Sequence, residues 1–391
     1  MSGTRPMVTG PVELGERSLA LTLDGRTSHF HYVWLRDNSW SGDSRVIQSG
    51  ERQLFTAAIS EDIAPVSAWF DPVEGLRIEW NDGHHATYAT HWLKHHDYSE
   101  EARAGRRHAP KLWDAGIGEL PSFVYEDVVG ADEKGQLAYL DALRDYGAAI
   151  VHGVPSVDGE VERFAEAFGH VREVAFARIH DVRHDPKGYN VAHTPGELKP
   201  HTDLPSYTWP PSIQLLHFLV NQATGGESTL VDGWKVLADL RAEDPEAFRV
   251  LTQVAVPYQL FSDTEDTRAV APMIQLDTEG TVRTFRFSNQ LALPLDIPFG
   301  QVEPFYAAYR KLGRMIDSDR YKLAFKAEDG DLLTVHGHRV LHGRLSYDPA
   351  SGARHLQDVY MEWDDLMARR RVLRGEHKPL SAAVPALEVS A

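Results

Sequence analysis

The fold is indicated by a stretch in the C-terminal third, Gly330-Asp-Leu-Leu-Thr-Val-His-Gly-His-Arg-Val-Leu-His-Gly-Arg344. Within this stretch, residues 331–335 have the length and composition of a short strand, and similar runs recur along the chain. These runs predict strands at residues 18–24, 28–35, 76–80, 148–151, 213–219, 284–287 and 356–363. Amphipathic patterns predict helices at residues 132–146, 161–168, 234–252 and 304–316. Many short strands with a few helices indicate a mainly β fold, a jelly roll (double-stranded β-helix) with helical buttresses.

Changes in composition divide the chain into four segments. A small N-terminal β domain is expected over residues 1–105, followed by a basic, polar linker at 106–120. The larger jelly-roll domain then covers residues 121–378. The last segment, residues 379–391, is rich in Ala, Pro and Ser, which predicts a disordered tail.

Charge and residue content exclude several functional classes. The 391 residues include 57 acidic and 40 basic side chains, a formal net charge of −17. A chain this acidic lacks the electrostatic footprint of a protein that binds nucleic acid or anionic membranes. It has no cysteine, which excludes disulfides, thiolate metal sites and cysteine nucleophiles. Because we find neither an apolar signal segment nor a run of about 20 apolar residues, we expect a cytoplasmic protein.

A metal site is predicted by the pattern His201-Thr202-Asp203. Residues two apart on a strand point to the same side, so this imidazole and this carboxylate can reach one metal ion. A second histidine would complete a 2-His-1-carboxylate triad, which leaves positions on iron(II) for a chelating cosubstrate and O2. The pattern alone is weak, because His95-His96-Asp97 matches it as well.

The order of further candidates along the chain strengthens this prediction. The stretch quoted first offers His336, His338 and His342 for the third ligand, and Arg354 begins the strand that follows. Two early ligands, a late third ligand and then an arginine suit a jelly roll. A dicarboxylate cosubstrate needs a cation at its far end, and a guanidinium can grip a carboxylate with two hydrogen bonds.

Several motifs, in this order, resemble the family of gamma-butyrobetaine dioxygenase and trimethyllysine dioxygenase, and more distantly the taurine dioxygenase group. They are His201-Thr-Asp-Leu-Pro205, Gly225-Gly-Glu-Ser-Thr-Leu-Val-Asp-Gly233, Leu341-His-Gly-Arg344, and Arg354-His-Leu356 through Trp363-Asp364. The N-terminal stretch Val33-Trp-Leu-Arg-Asp-Asn38 matches the small β domain of that family. The resemblance therefore covers nearly the whole chain.

The resemblance implies which residues bind iron and the cosubstrate. The iron ligands, which are also the catalytic residues, would be His201, Asp203 and His342, because only His342 matches Leu-His-Gly-Arg. Arg354 is implied as the arginine that binds 2-oxoglutarate, and the alternatives are Arg344 and Arg339. Near the cosubstrate or the metal, the resemblance places Asn289 and Ser228.

The chain departs from the family at a structural zinc site. The family holds this zinc in the small domain with three cysteines and a histidine, and the cysteine positions here read Ser39, Ser41 and Ser44. Of the four ligands only His84 remains. Neutral hydroxyls are poor zinc ligands. We therefore expect no structural zinc and a loop that is held by hydrogen bonds and packing.

The implied substrate pocket departs from the family as well. The family binds a trimethylammonium group in an aromatic cage, because a quaternary cation has no hydrogen-bond donor and is attracted by π faces. Tyr360 is retained, whereas the other implied substrate-binding positions read Phe176, His180, Asn190 and His193. Neutral histidines can line such a cage, but charged ones would repel a cation.

Two arginines near this pocket, Arg178 and Arg183, could face an anionic end of the substrate. The alternative is that Phe176 is a core residue, that Tyr360 packs as an ordinary strand residue and that both arginines are solvated. The altered positions leave two substrate classes open. One is a related betaine in a weaker cage, and the other is a different molecule.

The resemblance predicts an iron(II)- and 2-oxoglutarate-dependent dioxygenase, with ascorbate as reductant, that hydroxylates an aliphatic carbon of a small zwitterionic quaternary-ammonium compound. A gamma-butyrobetaine-like betaine or 2-(trimethylamino)ethylphosphonate would fit. The expected partners are this molecule and O2, without nucleic acid or membrane, and the resemblance suggests a homodimer. The alternatives are an oxygenase of a different small amino acid or amine, a protein or peptide hydroxylase, and a non-catalytic binding protein on the same scaffold.

Overall fold

The structure is a computed structural model, and it describes residues 7–175, 177–183 and 194–378. The chain divides into two units, one of residues 1–108 with 378–391 and one of residues 109–377. Among the described helices, none combines the length and the apolar character that crossing a membrane requires.

The first unit is built from two small sheets. Its strands are β1 (Met7–Thr9), β2 (Val12–Leu14), β3 (Ser18–Leu23), β4 (Arg26–His31), β5 (Pro65–Asp71), β6 (Gly75–Trp80) and β7 (His85–Tyr88), and its helices are α1 (Tyr32–Asp37), α2 (Thr90–His95) and α3 (Glu100–Arg106). One sheet has the order β1-β5-β6-β7 and the other β2-β3-β4. The core of this unit includes Trp80, Tyr88 and Trp92.

The predicted strand at residues 28–35 is wrong in its second half. Strand β4 ends at His31, and helix α1 begins at Tyr32. Tyr32 and Leu35 are both buried in the core of the first unit. Residues three apart lie on one face of a helix, so this helix buries both of them, whereas a strand would point them to opposite sides.

The positions of the implied zinc site are joined by hydrogen bonds. Ser39 Oγ and Ser41 Oγ lie 2.8 and 3.3 Å from Nε2 of His84. On the other side of the ring, Nδ1 of His84 lies 3.1 Å from Oδ2 of Asp43. The hydroxyl of Ser44 donates to the same carboxylate (3.3 Å). The loop is thus held by hydrogen bonds between side chains.

The second unit contains the longer strands and most of the helices. Its strands are β8 (Ser122–Val124), β9 (Ala148–His152), β10 (His180–Arg183), β11 (Leu198–His201), β12 (Ile213–Asn221), β13 (Thr224–Gly225), β14 (Ser228–Asp232), β15 (Ala255–Phe261), β16 (Asp266–Pro272), β17 (Ile274–Leu276), β18 (Val282–Phe285), β19 (Leu323–Phe325), β20 (Leu332–His336), β21 (Val340–Arg344), β22 (Tyr347–Asp348) and β23 (Arg354–Met361). Its helices are α4 (Tyr125–Val129), α5 (Glu133–Tyr146), α6 (Glu160–Glu166), α7 (Gly233–Glu243), α8 (Pro245–Gln253), α9 (Phe299–Ile316) and α10 (Trp363–Leu373).

Two sheets of this unit pack against each other. The larger has the strand order β10-β23-β12-β20-β9-β8 and the smaller β11-β21-β14-β19. Phe218 and Leu356 of the larger sheet join Leu230 and Val340 of the smaller sheet in one buried apolar cluster. A second cluster joins helices α5, α6 and α10 to the larger sheet. Mixed sheets with helices against them therefore form this unit.

The helix predicted over residues 234–252 is two helices. Helix α7 ends at Glu243 and α8 begins at Pro245. Proline lacks the N–H that a helix interior needs, but it is tolerated in the first turn. The side chain of Asp244 caps the new helix by accepting a hydrogen bond from the N–H of Ala247 (3.0 Å). Asp244 and Pro245 together thus restart the helix.

Candidate active site

The predicted metal ligands meet where two neighbouring strands of the smaller sheet pair. His201 is the last residue of β11 and lies directly opposite His342 of β21. Thr202 faces away, because its N–H donates to the carbonyl of Phe287 (2.7 Å) and its hydroxyl accepts from the Phe287 N–H (3.0 Å). His201 and Asp203 therefore face the same side. One ligand atom from each of the three side chains lies within 4.8 Å of the other two.

Hydrogen bonds and burial prepare these side chains to bind a metal ion. Nδ1–H of His201 donates to the carbonyl of Lys199 (2.9 Å), which leaves the lone pair on Nε2 for a metal. Burial lowers the pKa of His342 to about 4, so its imidazole is neutral at pH 7. Burial opposes ionisation of Asp203, but His342, His201 and a hydrogen bond from Tyr360 hold the pKa of this carboxyl well below its ordinary value.

The donor set fits iron(II). Two imidazoles and one carboxylate leave coordination positions open for a chelating ligand and O2. Both oxygens of Asp203 face the imidazoles, at 3.2 Å from Nε2 of His201 and 3.6 Å from Nε2 of His342. In the part of the chain that the structure describes, no other cluster of histidine and carboxylate side chains has this geometry.

The competing histidines lie elsewhere. His338 is buried, and its Nε2 lies 2.9 Å from the carbonyl of Pro210. His336 is buried and stacks on the ring of Trp363, with centroids 4.3 Å apart. In the accidental match near the N-terminus, Asp97 accepts a hydrogen bond from Ser28 and is not part of a metal-binding cluster. These side chains serve packing.

Tyr360 contacts the candidate metal ligands through its hydroxyl. This hydroxyl donates to Oδ2 of Asp203 (2.7 Å) and accepts from Nε2 of Gln214 (3.2 Å). Burial and the nearby charges of Asp203 and Asp358 raise the pKa of Tyr360 well above its ordinary value, so the phenol keeps its proton. The sequence pointed to the ring of Tyr360, whereas the structure adds a hydrogen bond that orients Asp203.

His180 pairs with a buried carboxylate, that of Asp358. His180 on β10 lies directly opposite Asp358 on β23, and its Nδ1 is 3.0 Å from Oδ1 of Asp358. Oδ2 of Asp358 accepts from Nε2 of Gln214 (2.7 Å). Burial opposes the protonation of His180, but the hydrogen bond to Asp358 and the charges of Asp358, Asp203 and Asp181 outweigh it and raise its pKa.

Arg354 is a half-buried cation without a carboxylate partner among the described residues. Its guanidinium lies over the ring of Tyr347, at 5.4 Å from the centroid. Burial and the charge of Arg344 lower the pKa of Arg354 to about 10, so it stays charged at pH 7. Nε of Arg354 is buried and has no hydrogen-bond partner. A half-buried, unpaired guanidinium that faces a cavity is suited to an anionic ligand.

The two alternative arginines have structural partners. Arg344 donates to the carbonyls of Thr194 and Gly196 (2.7 and 2.6 Å). Arg339 is 1% exposed and binds both oxygens of Asp232 (3.0 and 2.8 Å), and it also donates to two backbone carbonyls. Arg339 is thus a satisfied buried ion pair, which leaves Arg354 as the best placed of the three for a cosubstrate.

A cavity of about 880 Å³ brings these groups together. It is lined by the three candidate metal ligands and by residues from both sheets, among them His180, Gln214, Ser228, Arg344, Arg354, Asp358 and Tyr360. The hairpin of β15 and β16 contributes residues 259–264, and the segment 290–293 contributes another part of the wall. The metal site and Arg354 therefore share one space.

Some predicted residues are not brought to this cavity. Asn289 is exposed and accepts a hydrogen bond from the hydroxyl of Tyr309 (3.2 Å); its neighbours Ser288 and Gln290 line the cavity instead. The placement of Asn289 near the cosubstrate or the metal therefore stays a prediction. Arg178 pairs with Glu162 and does not line the cavity, and neither does Arg183. Outside the described residues lie Phe176, Asn190 and His193.

Sequence reasoning missed Asp358 and Gln214. Arg354, Asp358 and Tyr360 all line the cavity from alternate positions of β23. The period of two along a strand could have identified Asp358 once Arg354 and Tyr360 were chosen. Gln214 carries no such signal, because its role depends on the pairing of β12 with β23, where it lies opposite Tyr360.

This chain is similar to two family models and to several known proteins. Residues 83–360 match the family model of the taurine catabolism dioxygenase TauD, TfdA family, and residues 13–94 match that of the gamma-butyrobetaine hydroxylase-like N-terminal domain. A gamma-butyrobetaine dioxygenase of Pseudomonas sp. (strain AK-1) is 36% identical over 90% of this chain and 92% of its own length. The human gamma-butyrobetaine dioxygenase is 32% identical over 90% and 93%. A solved non-heme iron oxygenase, OrfP, in complex with Fe and alpha-ketoglutaric acid, superposes with a TM-score of 0.47 at 16% identity and covers 62% of this chain and 94% of its own.

Proposed function

We propose a function from the premise that this chain belongs to the taurine catabolism dioxygenase TauD, TfdA family. It is an iron(II)- and 2-oxoglutarate-dependent dioxygenase that hydroxylates an aliphatic carbon of a small zwitterionic quaternary-ammonium compound. The two facing sheets of the second unit form its jelly roll. The observation that carries the proposal is the convergence of His201, Asp203 and His342 in a cavity that also holds an unpaired arginine, Arg354.

His201, Asp203 and His342 would hold the iron. Bound there with 2-oxoglutarate, the iron supplies the O2-dependent oxidation that turns a C–H bond, O2 and 2-oxoglutarate into an alcohol, succinate and CO2. The chain's own residues do the positioning. Tyr360 fixes the orientation of Asp203 through a 2.7 Å hydrogen bond, and the apolar side chains Leu216 and Leu356 of the cavity wall exclude water.

Arg354 would bind the distal carboxylate of 2-oxoglutarate. It is half-buried, stays charged and has no carboxylate partner among the described residues. Ser228 lines the same cavity and lies opposite Arg344 in the pairing of β14 with β21. A hydroxyl at that point can add a hydrogen bond to the same carboxylate.

The substrate proposed first is gamma-butyrobetaine or a close betaine, since the relatives that match at 36% and 32% identity are gamma-butyrobetaine dioxygenases. The second candidate is another small cationic molecule, such as an aminophosphonate or an amino acid. It is favoured by the His180–Asp358 pair, which occupies a position where an all-aromatic cage would place a ring.

The proposal is tested by a substrate screen with purified protein, iron(II), 2-oxoglutarate and ascorbate. Gamma-butyrobetaine, 2-(trimethylamino)ethylphosphonate, trimethyllysine and unmethylated amino acids are compared for succinate release. Succinate that depends on a betaine and disappears in His342→Ala supports the proposal. The matched control is His338→Ala, which removes a buried histidine outside the cavity. Betaine-dependent turnover that survives His342→Ala would move the metal site elsewhere.

A further inference from the structure

Strand β23 carries opposite charges to different parts of the cavity. Arg354, Leu356, Asp358 and Tyr360 alternate along it, and all four line the cavity. Strands rise about 3.4 Å per residue, so the basic end at Arg354 and the acidic Asp358 lie about 14 Å apart along the strand. This strand therefore presents a cavity wall that is positive at one end and negative toward the candidate metal ligands.

Asp358 is built into this wall. It is 2% exposed, and its two oxygens accept from His180 Nδ1 on one neighbouring strand and from Gln214 Nε2 on the other. A carboxylate has about four lone-pair sites, so acceptor capacity remains for a ligand in the cavity.

The other charges of the cavity are already committed under the proposed function. Asp203 belongs to the metal site and Arg354 to the cosubstrate, while Arg344 donates to backbone carbonyls. In the described part of the lining, the remaining carboxylates are those of Asp358 and Asp263, and His180 adds a positive charge when it is protonated. Asp263 lies at the exposed tip of the β15–β16 hairpin. Asp358 is thus the buried charge left for the substrate.

Aromatic side chains do not enclose this point in the described lining. Apart from histidines, its rings are Phe218, Phe261 and Tyr360. Phe218 is 1% exposed and packs in the core between the two sheets, whereas Phe261 is 68% exposed. Among the rings of the described lining, only that of Tyr360 is both buried and adjacent to Asp358 through the shared contact with Gln214. From the described residues, a cation here meets one such ring and one carboxylate.

We propose that Asp358 is a specificity-determining residue that binds the cationic group of the substrate by charge, with the ring of Tyr360 beside it. This inference rests on the proposed function and names how the same site selects its substrate. Arg354 would then bind the dicarboxylate at the basic end of the cavity, and Asp358 would bind the cationic group of the substrate at the acidic end. His180 holds the carboxylate in place from the neighbouring strand.

The test is direct binding of gamma-butyrobetaine and of its neutral carbon isostere, 5,5-dimethylhexanoate, by calorimetry in the presence of Mn(II) and 2-oxoglutarate under anaerobic conditions. Asp358→Asn keeps the size and one acceptor of the side chain. It should weaken gamma-butyrobetaine tenfold or more and leave the isostere within about twofold, since an attraction between charges is lost. The matched control is Asp181→Asn, which removes a charge next to His180 from the face that pairs with His355 and should change neither ligand.

Equal weakening of both ligands in Asp358→Asn, or an unchanged preference for the cation, would overturn the inference. If Asp358→Asn does not fold, the pH dependence of binding in His180→Asn tests the inference instead. Protonated His180 would neutralise Asp358, and the other charges that face it are Asp203 and Asp181. Wild-type affinity for gamma-butyrobetaine should then fall at least threefold from pH 8 to pH 6, and His180→Asn should remove this fall. A fall that persists in His180→Asn contradicts the inference.

The proposed function can fail independently of this inference. If no betaine supports succinate release by the wild type, the proposed function is wrong whatever Asp358 does. If the wild type turns over gamma-butyrobetaine while Asp358→Asn still prefers the cation over the isostere, the proposed function stands and Asp358 is a structural residue.

Discussion

Replacing Tyr360 by Phe separates the two contributions that this residue makes to the site. The substitution removes one oxygen, which donates to Asp203 Oδ2 at 2.7 Å, and leaves the ring in place. Tyr360 is 3% exposed, so water cannot easily replace the lost donor. A hydrogen bond to a charged group contributes about 1.5–3 kcal/mol. At about 1.4 kcal/mol per factor of ten, its full loss corresponds to roughly a 10- to 100-fold change.

The affinity for the metal should change by only part of this free energy, because the hydrogen bond also exists before the metal binds. What is lost in the loaded protein is the fixed orientation of the carboxylate. Residues that orient metal ligands typically change metal affinity by about 10–100-fold. We therefore expect the dissociation constant for Mn(II) to rise about tenfold in Tyr360→Phe, and the affinity for gamma-butyrobetaine to change by less than about threefold because the ring remains.

The assay is a titration with Mn(II), in which free ion is counted by its electron paramagnetic resonance signal. The matched control is Tyr321→Phe, since Tyr321 is another buried tyrosine of the same unit whose hydroxyl donates to a carboxylate, Asp239, at 2.8 Å. It should lower the stability of the protein but leave Mn(II) affinity unchanged. Wild-type affinity in Tyr360→Phe, or an equal loss in Tyr321→Phe, would refute the assignment of Tyr360 to the metal site.

Three further predictions concern the cosubstrate, the first unit and acid stability. Arg354→Lys keeps the charge but loses the two-pronged donor, so KM for 2-oxoglutarate should rise at least tenfold and KM for the betaine much less; the reverse order in steady-state kinetics would place Arg354 in the substrate pocket. Metal analysis of purified protein should find no tightly bound zinc. The triple variant Ser39→Cys, Ser41→Cys, Ser44→Cys adds thiolates around His84 and should bind about one zinc ion per chain. Stoichiometric zinc in the wild type that is lost in His84→Ala would contradict this prediction. Burial lowers the pKa of His338 to about 4, so between pH 6.5 and 4 only the unfolded chain takes up this proton, and the free energy of unfolding should fall as pH falls. In His338→Gln, the free energy of unfolding measured by urea denaturation should fall less steeply with pH. An unchanged pH dependence would rule out His338 as a contributor.

The candidate metal ligands could be predicted from the sequence because two of them form a local pattern and the third stands in a recognisable motif. His201 and Asp203 are two positions apart at a strand end, and His342 stands in a motif that resembles one family. The structure confirms that the three side chains converge. By contrast, nothing in the sequence shows that Leu204, directly after Asp203, adopts a left-handed backbone with φ of 49°. Such a conformation costs a non-glycine residue about 1–2 kcal/mol and is set by the surrounding structure.

The network behind the metal ligands could not be predicted because it depends on strand register. Gln214 reaches both Asp358 and Tyr360 only because β12 pairs with β23 in one particular alignment. A shift by one residue would turn every one of these side chains to the other face. The position of Asn289 could not be predicted for a related reason, since it lies in the loop after β18, where neighbouring residues face different directions and a motif match does not fix which one enters the cavity.

The measurement that tests the central claim most directly is turnover of gamma-butyrobetaine under ¹⁸O₂ with iron(II), 2-oxoglutarate and ascorbate, followed by mass spectrometry of both products. The proposed function predicts one ¹⁸O atom in succinate and one ¹⁸O atom in the hydroxyl group of the hydroxylated betaine. The two products should form in equal amounts. His342→Ala should abolish both. Hydroxylated product without matching succinate, or succinate release that no betaine or other small cation increases, would contradict the assignment of this chain as a 2-oxoglutarate-dependent hydroxylase.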